Sequence, residues 1–261
     1  MKQPFVSRLN RFLWAFLLIS LPFTSFPQVS KLFRGSVVAP LAVIPLAILL
    51  FSLKLPVIIK SKSLPQASLP LFVFVLVGVL SIAASNFLDL PSFRQSQPLM
   101  NNLESLVTLG IGLCFYLSAI FMINNEADHK ETLRWINIGG LIIILFCIYQ
   151  LGVWLLLGEY PNVLYTVQSH FTINAKLYDR RVTAVALEPS WLAHQLNMLY
   201  LPIWIAFSVK KTSIYQRRIF DRFTVENLLL LGGVFALFAT FSRIGWVTTL
   251  AVVAFLILRF A

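Results

Sequence analysis

Length, composition and charge place the chain in a narrow class of proteins. Of its 261 residues, 58% are hydrophobic and only 12% are charged, with a formal net charge of +11, whereas a soluble domain is about 45–50% apolar and about 25% charged. These values exclude a soluble globular enzyme, a disordered chain and a coiled coil, and they predict an integral membrane protein with the lipid bilayer as a partner.

Apolar stretches of membrane-spanning length follow one another along the whole chain. A helix needs about 20 apolar residues, at about 1.5 Å each, to cross about 30 Å of hydrocarbon. We therefore predict an all-α fold, a polytopic transmembrane bundle forming a single domain over residues 1–261. Its spans number about eight: 12–27, 37–53, 69–88, 103–123, 135–157, 190–208, 227–241 and 244–258. Prolines predict kinked or partly re-entrant first and second spans: Pro22, Pro27, Pro40 and Pro45.

The basic residues lie in short clusters between these spans. Such clusters are typical of topology signals, whereas a nucleic-acid binder concentrates its cations on one face, so we expect no nucleic-acid partner. With the N-terminus inside, 14 of the 21 Lys and Arg residues fall on the inner side and 7 on the outer side. The positive-inside rule then predicts a cytoplasmic N-terminus, a cytoplasmic basic loop at 209–226 and an extracytoplasmic loop at 158–189.

Arg243 interrupts the last apolar stretch, from residue 227 to residue 258. This stretch is too long for one span and barely long enough for two. It predicts a tight helical hairpin, with Ser242, Arg243 and Gly245 at a turn on the same side as the 158–189 loop. A guanidinium at the lipid boundary needs an anionic partner or has to extend to the interface.

Charged residues also lead into the sixth span. Arg180 and Arg181 precede Glu188, which is followed by Pro189. Proline suits the first helical position, and the helix dipole favours a carboxylate there. Two interpretations of this pattern remain open. The residues form either a charged loop with a helix cap or a functional site. The same loop carries aromatic residues that could stack on sugars or simply lie at the membrane interface, namely Tyr160, Tyr165, Phe171 and Tyr178, with His170 among them.

Two stretches together resemble the O-antigen ligase and O-antigen polymerase family of bacterial inner-membrane proteins. The first reads Arg-x-Thr-x-x-x-x-Glu-Pro-Ser-x-x-Ala from Arg181 to Ala193, and the second reads Thr-Phe-Ser-Arg-x-Gly-Trp from Thr240 to Trp246. Ala184 stands where a glycine is usual, and Ile244 is inserted before the glycine of the Ser-Arg-Gly element. No histidine here matches the one that the family's ligases use in a later loop. Family members have ten to twelve helices, so we expect the chain to be the N-terminal part of a larger bundle.

The resemblance implies glycan transfer at the periplasmic face from an undecaprenyl-diphosphate-linked donor to a glycan or lipid acceptor, without a metal or cofactor. Arg181 is the best match to the family's first arginine, with Arg180 as the alternative, and Arg243 matches the second. They would bind the diphosphate leaving group, because a guanidinium binds phosphate bidentately and stays charged. Glu188 would orient Arg181 or bind an acceptor hydroxyl. Further candidate substrate-binding residues lie in or beside the two stretches: Arg180, Trp191, His194 and Ser242.

Two other functions remain compatible with the sequence. A transporter or flippase of lipid-linked glycans would use the arginines to line a substrate path, although such proteins typically show internal repeats and charged or broken helices at the midplane. The third possibility is a membrane scaffold without chemistry, in which the charges serve only as caps and topology signals.

Overall fold

The described part of the chain is mainly helical. A computed structural model describes residues 3–32, 38–52, 66–85, 98–215, 218–219 and 223–260. Its helices are α1 (Gln3–Ser20), α2 (Pro27–Leu32), α3 (Val43–Ser52), α4 (Leu69–Ser85), α5 (Pro98–Met122), α6 (Glu126–Leu157), α7 (Asn162–Phe171), α8 (Pro189–Gln195), α9 (Leu201–Lys210), α10 (Val225–Ala239) and α11 (Arg243–Phe260). A 3-10 turn (Gln66–Ser68) precedes α4, and a π-helical segment (Leu196–Tyr200) joins α8 to α9.

Three helices among the described residues are long and apolar enough to cross a membrane. They are Asn102–Met122, Glu126–Leu157 and Pro189–Lys210, and three shorter apolar helices accompany them: Leu69–Ser85, Val225–Ala239 and Arg243–Phe255. These helices indicate a membrane protein, as the composition predicts. Parts of the predicted spans 37–53 and 69–88, and of the 209–226 loop, lie outside the described residues.

Two bounds differ from the predicted ones for local reasons. The helix predicted at 135–157 begins at Glu126, because the Asn125 side chain caps it by accepting from the Asp128 N–H at 2.9 Å. The resulting 32-residue helix is about 48 Å long, which exceeds the hydrocarbon thickness. The first predicted span, 12–27, is broken instead, since α1 ends at Ser20, two residues before Pro22.

The basic loop contains a small antiparallel hairpin that the sequence did not predict. Its strands are β1 (Arg218–Ile219) and β2 (Phe223–Thr224), and Arg218 pairs with Thr224. Thr224 also caps α10, because its hydroxyl accepts from the Asn227 N–H at 3.3 Å. This cap fixes where the basic loop ends and α10 begins.

The chain divides into two compact units, one of which contains α4 and α5. This unit comprises Met1–Leu13 and Leu46–Asn124. Its two helices run antiparallel, joined by a hydrogen bond of 2.8 Å from Asn102 Nδ2 to Ser85 Oγ and another of 2.7 Å between Ser68 Oγ and Tyr116 OH. No described residue of α4 is buried. Such an apolar surface is suited to lipid contact.

The second unit comprises Trp14–Pro45 and Asn125–Ala261, and its core is built on Trp204. The Trp204 indole is fully buried, and its Nε1 donates to Asn137 Oδ1 at 2.8 Å. The ring fits between Gly140 of α6 and Gly233 of α10, where an added Cβ would overlap it. Two glycines therefore allow three helices to approach closely around one large ring.

Cysteine labelling can test which side of the membrane each end of this unit faces. The helix from Pro189 to Lys210 has 22 residues, so its ends are about 33 Å apart. In a background without Cys114 and Cys147, we expect an impermeant thiol reagent to reach cysteines at the exposed Asn174 and Lys211 from opposite sides of the membrane. Labelling of both from one side would contradict the predicted topology.

Candidate functional site

The connection between α6 and α8, which matches the predicted 158–189 loop, is a folded element. Helix α7 packs back onto the end of α6, where Tyr160, Leu164 and Leu177 form a small buried cluster against Trp154. Burial raises the pKa of Tyr160 to about 12, with smaller contributions from Asp179 and Tyr165. The loop therefore has its own core, and it presents its basic residues from a fixed frame.

A tight turn over residues 178–181 directs the side chains of the two adjacent arginines to different places. The Arg181 N–H donates to the Tyr178 carbonyl at 3.1 Å, and Arg180 between them has a left-handed φ of 60°. The Arg180 guanidinium lies over the Trp154 ring at 5.5 Å, whereas Arg181 points toward the end of α10. The turn thus gives the two neighbouring arginines different surroundings, and Arg180 is the more exposed of the two.

The predicted helix break at Arg243 is confirmed. Helix α10 ends at Ala239 and α11 begins at Arg243, with Phe241 at a left-handed φ of 46° in the turn. Ser242 is buried, and its hydroxyl accepts from the Gly245 N–H at 3.3 Å, so this candidate substrate-binding residue acts as the cap of α11. A Cβ on Gly245 would lie 2.7 Å from the Ala193 Cβ, which explains why a glycine follows Ile244.

The two sequence stretches meet at the end of α10. Arg181 Nε donates to the Thr240 carbonyl at 3.0 Å, and the Val182 N–H donates to the Ala239 carbonyl at 3.0 Å. Both bonds use carbonyls that a helix leaves without an internal partner at its C-terminus. Among the described residues this is the one hydrogen bond of the Arg181 side chain, so both of its Nη groups remain available to a ligand.

Tyr178 lies between charged groups of both signs. Arg181 Cζ is 5.8 Å and Lys176 Nζ 4.8 Å from the centre of its ring. Burial raises the pKa of the Tyr178 phenol, the Glu188 carboxylate raises it further, and the Arg181 guanidinium opposes the rise. Glu188 is therefore close enough to influence the same aromatic group as Arg181.

Glu188 precedes α8 with Pro189 at the first helical position, as predicted. Its carboxylate is exposed and accepts from the Ser190 hydroxyl at 3.3 Å. Within the described ranges it forms no ion pair with Arg181, whose orientation comes from the Thr240 carbonyl instead. This arrangement favours the second predicted role of Glu188, the binding of a hydroxyl group.

The candidates on α8 and α11 differ in exposure. Trp191 is half-buried, whereas His194 and Arg243 are exposed. Arg243 has no hydrogen-bond or ion-pair partner in the described part of the chain. As the first residue of α11 it adds a cation to the positive end of a helix dipole, which does not stabilise the helix but favours a bound anion.

The N-terminal part of the chain forms a wall of the site that the sequence did not reveal. After α1 ends, the Thr24 hydroxyl accepts from the Leu187 N–H at 3.1 Å, and the Ser25 carbonyl accepts from the Ile173 N–H at 3.1 Å. Gln195 of α8 donates to the Leu21 carbonyl at 2.8 Å. The break at Pro22 therefore leaves the Leu21 and Ser25 carbonyls and the Thr24 hydroxyl outside α1, where they bind the loop and α8.

The aromatic residues of the loop are divided between core and surface. Tyr160 is buried, and Phe171 packs between Phe23 and Phe146 with ring centres 5.4 and 5.6 Å away. Tyr165 is exposed, and so is His170, whose Nδ1 lies 2.7 Å from the Thr166 carbonyl. The predicted sugar-stacking surface is thus reduced to the outward-facing members of the set.

Sequence reasoning also missed two buried glutamines. Gln150 of α6 and Gln168 of α7 each bind the Thr183–Ala184 backbone, which follows Arg181. A polar side chain within the apolar run 135–157 was the available signal, because such residues inside a membrane helix are rare and usually functional.

Ala184, where the family usually has glycine, has a left-handed φ of 48° and is fully buried. We expect Ala184→Gly to change the free energy of unfolding by less than about 1 kcal/mol, since relief of about 1 kcal/mol of backbone strain offsets the loss of a buried methyl group. Ala184→Val should destabilise by at least about 2 kcal/mol, because a β-branched residue disfavours positive φ and overfills the site. Thermal unfolding in detergent measures both, and equal melting temperatures for wild type and Ala184→Val would contradict this account.

Among the described residues, no three His, Cys, Asp or Glu side chains are grouped as metal ligands would be. Comparison with family models, with curated proteins and with solved structures finds no match to the chain. The likeness to O-antigen ligases and polymerases therefore rests on the two short stretches, which the fold brings together.

Proposed function

We propose that the protein transfers or polymerises glycan from an undecaprenyl-diphosphate-linked donor to a sugar hydroxyl, as a membrane glycosyltransferase of the O-antigen ligase or polymerase type. It would do so at the periplasmic face of the bacterial inner membrane, within a bundle of about eight spans whose N-terminus is cytoplasmic. The observation that carries the proposal is the hydrogen bond from Arg181 Nε to the Thr240 carbonyl. It joins the two stretches of the resemblance at one end of the second unit.

The chemistry of the donor explains why two arginines would be needed. As the acceptor hydroxyl attacks the anomeric carbon, the bond from that carbon to the phosphate oxygen breaks, and negative charge grows on the departing diphosphate. The free Nη groups of Arg181 and the exposed guanidinium of Arg243 would both supply positive charge to that diphosphate. A donor preorganised toward a developing anion stabilises it by about 3–4 kcal/mol in a water-poor site, and the bond to the Thr240 carbonyl preorganises Arg181 in this way.

The remaining residues fit supporting roles. Glu188 presents an exposed carboxylate that can accept a hydrogen bond from an acceptor hydroxyl. Arg180, Trp191 and His194 lie on the same loop or on the first turns of α8, within reach of the carrier or the sugars. Ser242 would contribute through the cap that positions Arg243.

The deciding experiment uses the purified protein in lipid vesicles with a labelled glycan on undecaprenyl diphosphate and an unlabelled glycan acceptor. We expect new glycosidic bonds, seen as labelled acceptor, together with release of the lipid diphosphate. Movement of the labelled lipid between leaflets without bond formation would replace this proposal with a transporter or flippase. If the protein neither forms product nor moves the labelled lipid, the result would favour a scaffold.

A further inference from the structure

The backbone turn that follows Arg181 is held by two side-chain amides. Gln150 Oε1 accepts from the N–H groups of Thr183 and Ala184 at 3.0 and 2.9 Å. The Ala184 carbonyl accepts from Gln150 Nε2 at 3.0 Å and from Gln168 Nε2 at 3.1 Å. Gln150 Nε2 also donates to Gln168 Oε1 at 3.2 Å, so the two amides and the turn form one network.

The backbone of this turn needs one side chain that both accepts and donates hydrogen bonds, and an amide meets both needs. The turn residues and both glutamines are buried, with Thr183, Gln150 and Gln168 each 1% exposed. Buried backbone groups without partners are costly, and here they include two donors and one acceptor. A glutamine has an acceptor oxygen and two donor hydrogens, whereas a glutamate has no donor when ionised and one when protonated, and a leucine can neither donate nor accept. The same bonds fix the orientation of each amide.

The turn is connected to Arg181 by a short, doubly anchored segment. The Val182 N–H donates to the Ala239 carbonyl, and Arg181 Nε donates to the Thr240 carbonyl, both at 3.0 Å. Residues 181–184 are thus held by α10 at one end and by amides of α6 and α7 at the other. Among the described residues neither glutamine forms a hydrogen bond with Arg181, so we expect any effect on it to pass through the backbone.

We propose that Gln150 and Gln168 are positioning residues for Arg181, which hold its guanidinium at the place where a diphosphate binds. This assignment rests on the proposed function for its ligand, but the placement of the 181–184 segment can be measured without that ligand. A displacement of about 1 Å in a binding group can cost about a hundredfold in rate. Hydrogen bonds that hold the backbone two residues after Arg181 can therefore affect the rate of transfer.

The first measurement is hydrogen exchange at single-residue resolution on the Gln150→Leu variant. We expect the Val182 amide, which Gln150 does not contact, to lose about tenfold or more of its protection, because its bond to Ala239 depends on the position of the segment. Gln195→Leu makes the same change on α8 and should leave Val182 protected. Loss of protection confined to Thr183 and Ala184 would overturn the positioning role, since the amides would then satisfy only their own contacts.

The second measurement is the binding of undecaprenyl diphosphate without glycan to protein in nanodiscs. Gln150→Leu should weaken binding about tenfold in the wild type and in Arg243→Ala, yet have no further effect in Arg181→Ala, because coupled residues are not additive. Equal losses in all three backgrounds would overturn the proposal. If the wild type does not bind the lipid, the proposed function fails, and the exchange result still decides the positioning role.

A milder variant guards against misfolding of Gln150→Leu. Burial favours the neutral form of a glutamic acid, so Gln150→Glu keeps an oxygen for the two N–H groups and donates one hydrogen bond to Ala184 or Gln168 instead of two. We expect Val182 protection and lipid binding between those of wild type and Gln150→Leu. Full protection and full affinity in a folded Gln150→Glu protein would contradict the proposal, since the second donated bond would then be dispensable.

Discussion

Replacement of Arg181 or Arg243 by alanine is expected to reduce glycan transfer by at least about a hundredfold while leaving the amount of folded protein unchanged. The reason is that each variant would remove a cation from the proposed site of the leaving diphosphate, and a loss of this size is typical of lost electrostatic stabilisation. The measurement is the formation of labelled acceptor by purified protein in vesicles, with thermal unfolding as the check on folding. Full activity in both variants would refute the assignment of these arginines.

Two further variants distinguish geometry from charge. Arg181→Lys retains the positive charge but lacks the planar guanidinium, which can bind the Thr240 carbonyl and a phosphate at the same time. We therefore expect its activity to lie between those of wild type and Arg181→Ala. Lys210→Ala removes an exposed cation at the other end of the helix that begins at Pro189, and it should retain wild-type activity. A comparable loss in Lys210→Ala would show that the total charge, rather than the site, is responsible.

The second large effect concerns the packing of α6 on Trp204. A Cβ at Gly140 would lie 2.5 Å from Trp204 Cζ2 and 2.9 Å from Tyr200 Cδ1, whereas one at Gly152 meets no atom within 4 Å. We expect Gly140→Ala to destabilise the protein by about 1–3 kcal/mol, because the indole is fully buried and the added Cβ would overlap it. Gly152→Ala, on the same helix, should be neutral or stabilising by up to about 1 kcal/mol, since alanine favours helix.

Melting temperatures of the two variants in the same detergent provide the comparison. A suppressor tests the cause directly, because Trp204→Phe removes the outer ring atoms that an alanine at Gly140 would meet. We expect it to restore part of the stability lost in Gly140→Ala, even though the bond to Asn137 is lost. If Gly140→Ala and Gly152→Ala have the same melting temperature, the close contact at Gly140 does not limit packing.

Local patterns were sufficient for several features of the fold. The apolar run ending at Leu157 and the proline at position 189 each produced the predicted helix boundary, because hydrophobic length and proline geometry act within one segment. The break at Arg243 followed from the charged residue that interrupts the apolar stretch and from the length of that stretch, which exceeds one span. The start of α6 was misplaced, since the cap at Asn125 extends the helix into polar sequence, and the first span was misplaced because α1 ends at Ser20.

Within the site, the sequence identified the charged residues but not what holds them. Arg181, Glu188 and Arg243 were apparent because charges are rare in this chain, whereas no charge or motif singled out Gln150 and Gln168. The N-terminal segment was left out altogether, although Thr24 binds the loop at Leu187 across 163 residues of sequence. The resemblance itself covered only the later part of the chain.

The sequence by itself determined the membrane class, the positions of most helices and the two arginine-bearing stretches. The tertiary structure decided that Arg181 lies on the end of α10, that two amides hold its backbone, and that the break at Pro22 supports the loop. The physical reason is the nature of the partners. The Thr240, Ala184 and Leu21 acceptors are backbone carbonyls, which every residue carries, so no side chain marks them in advance, and only the folded chain brings a donor to them.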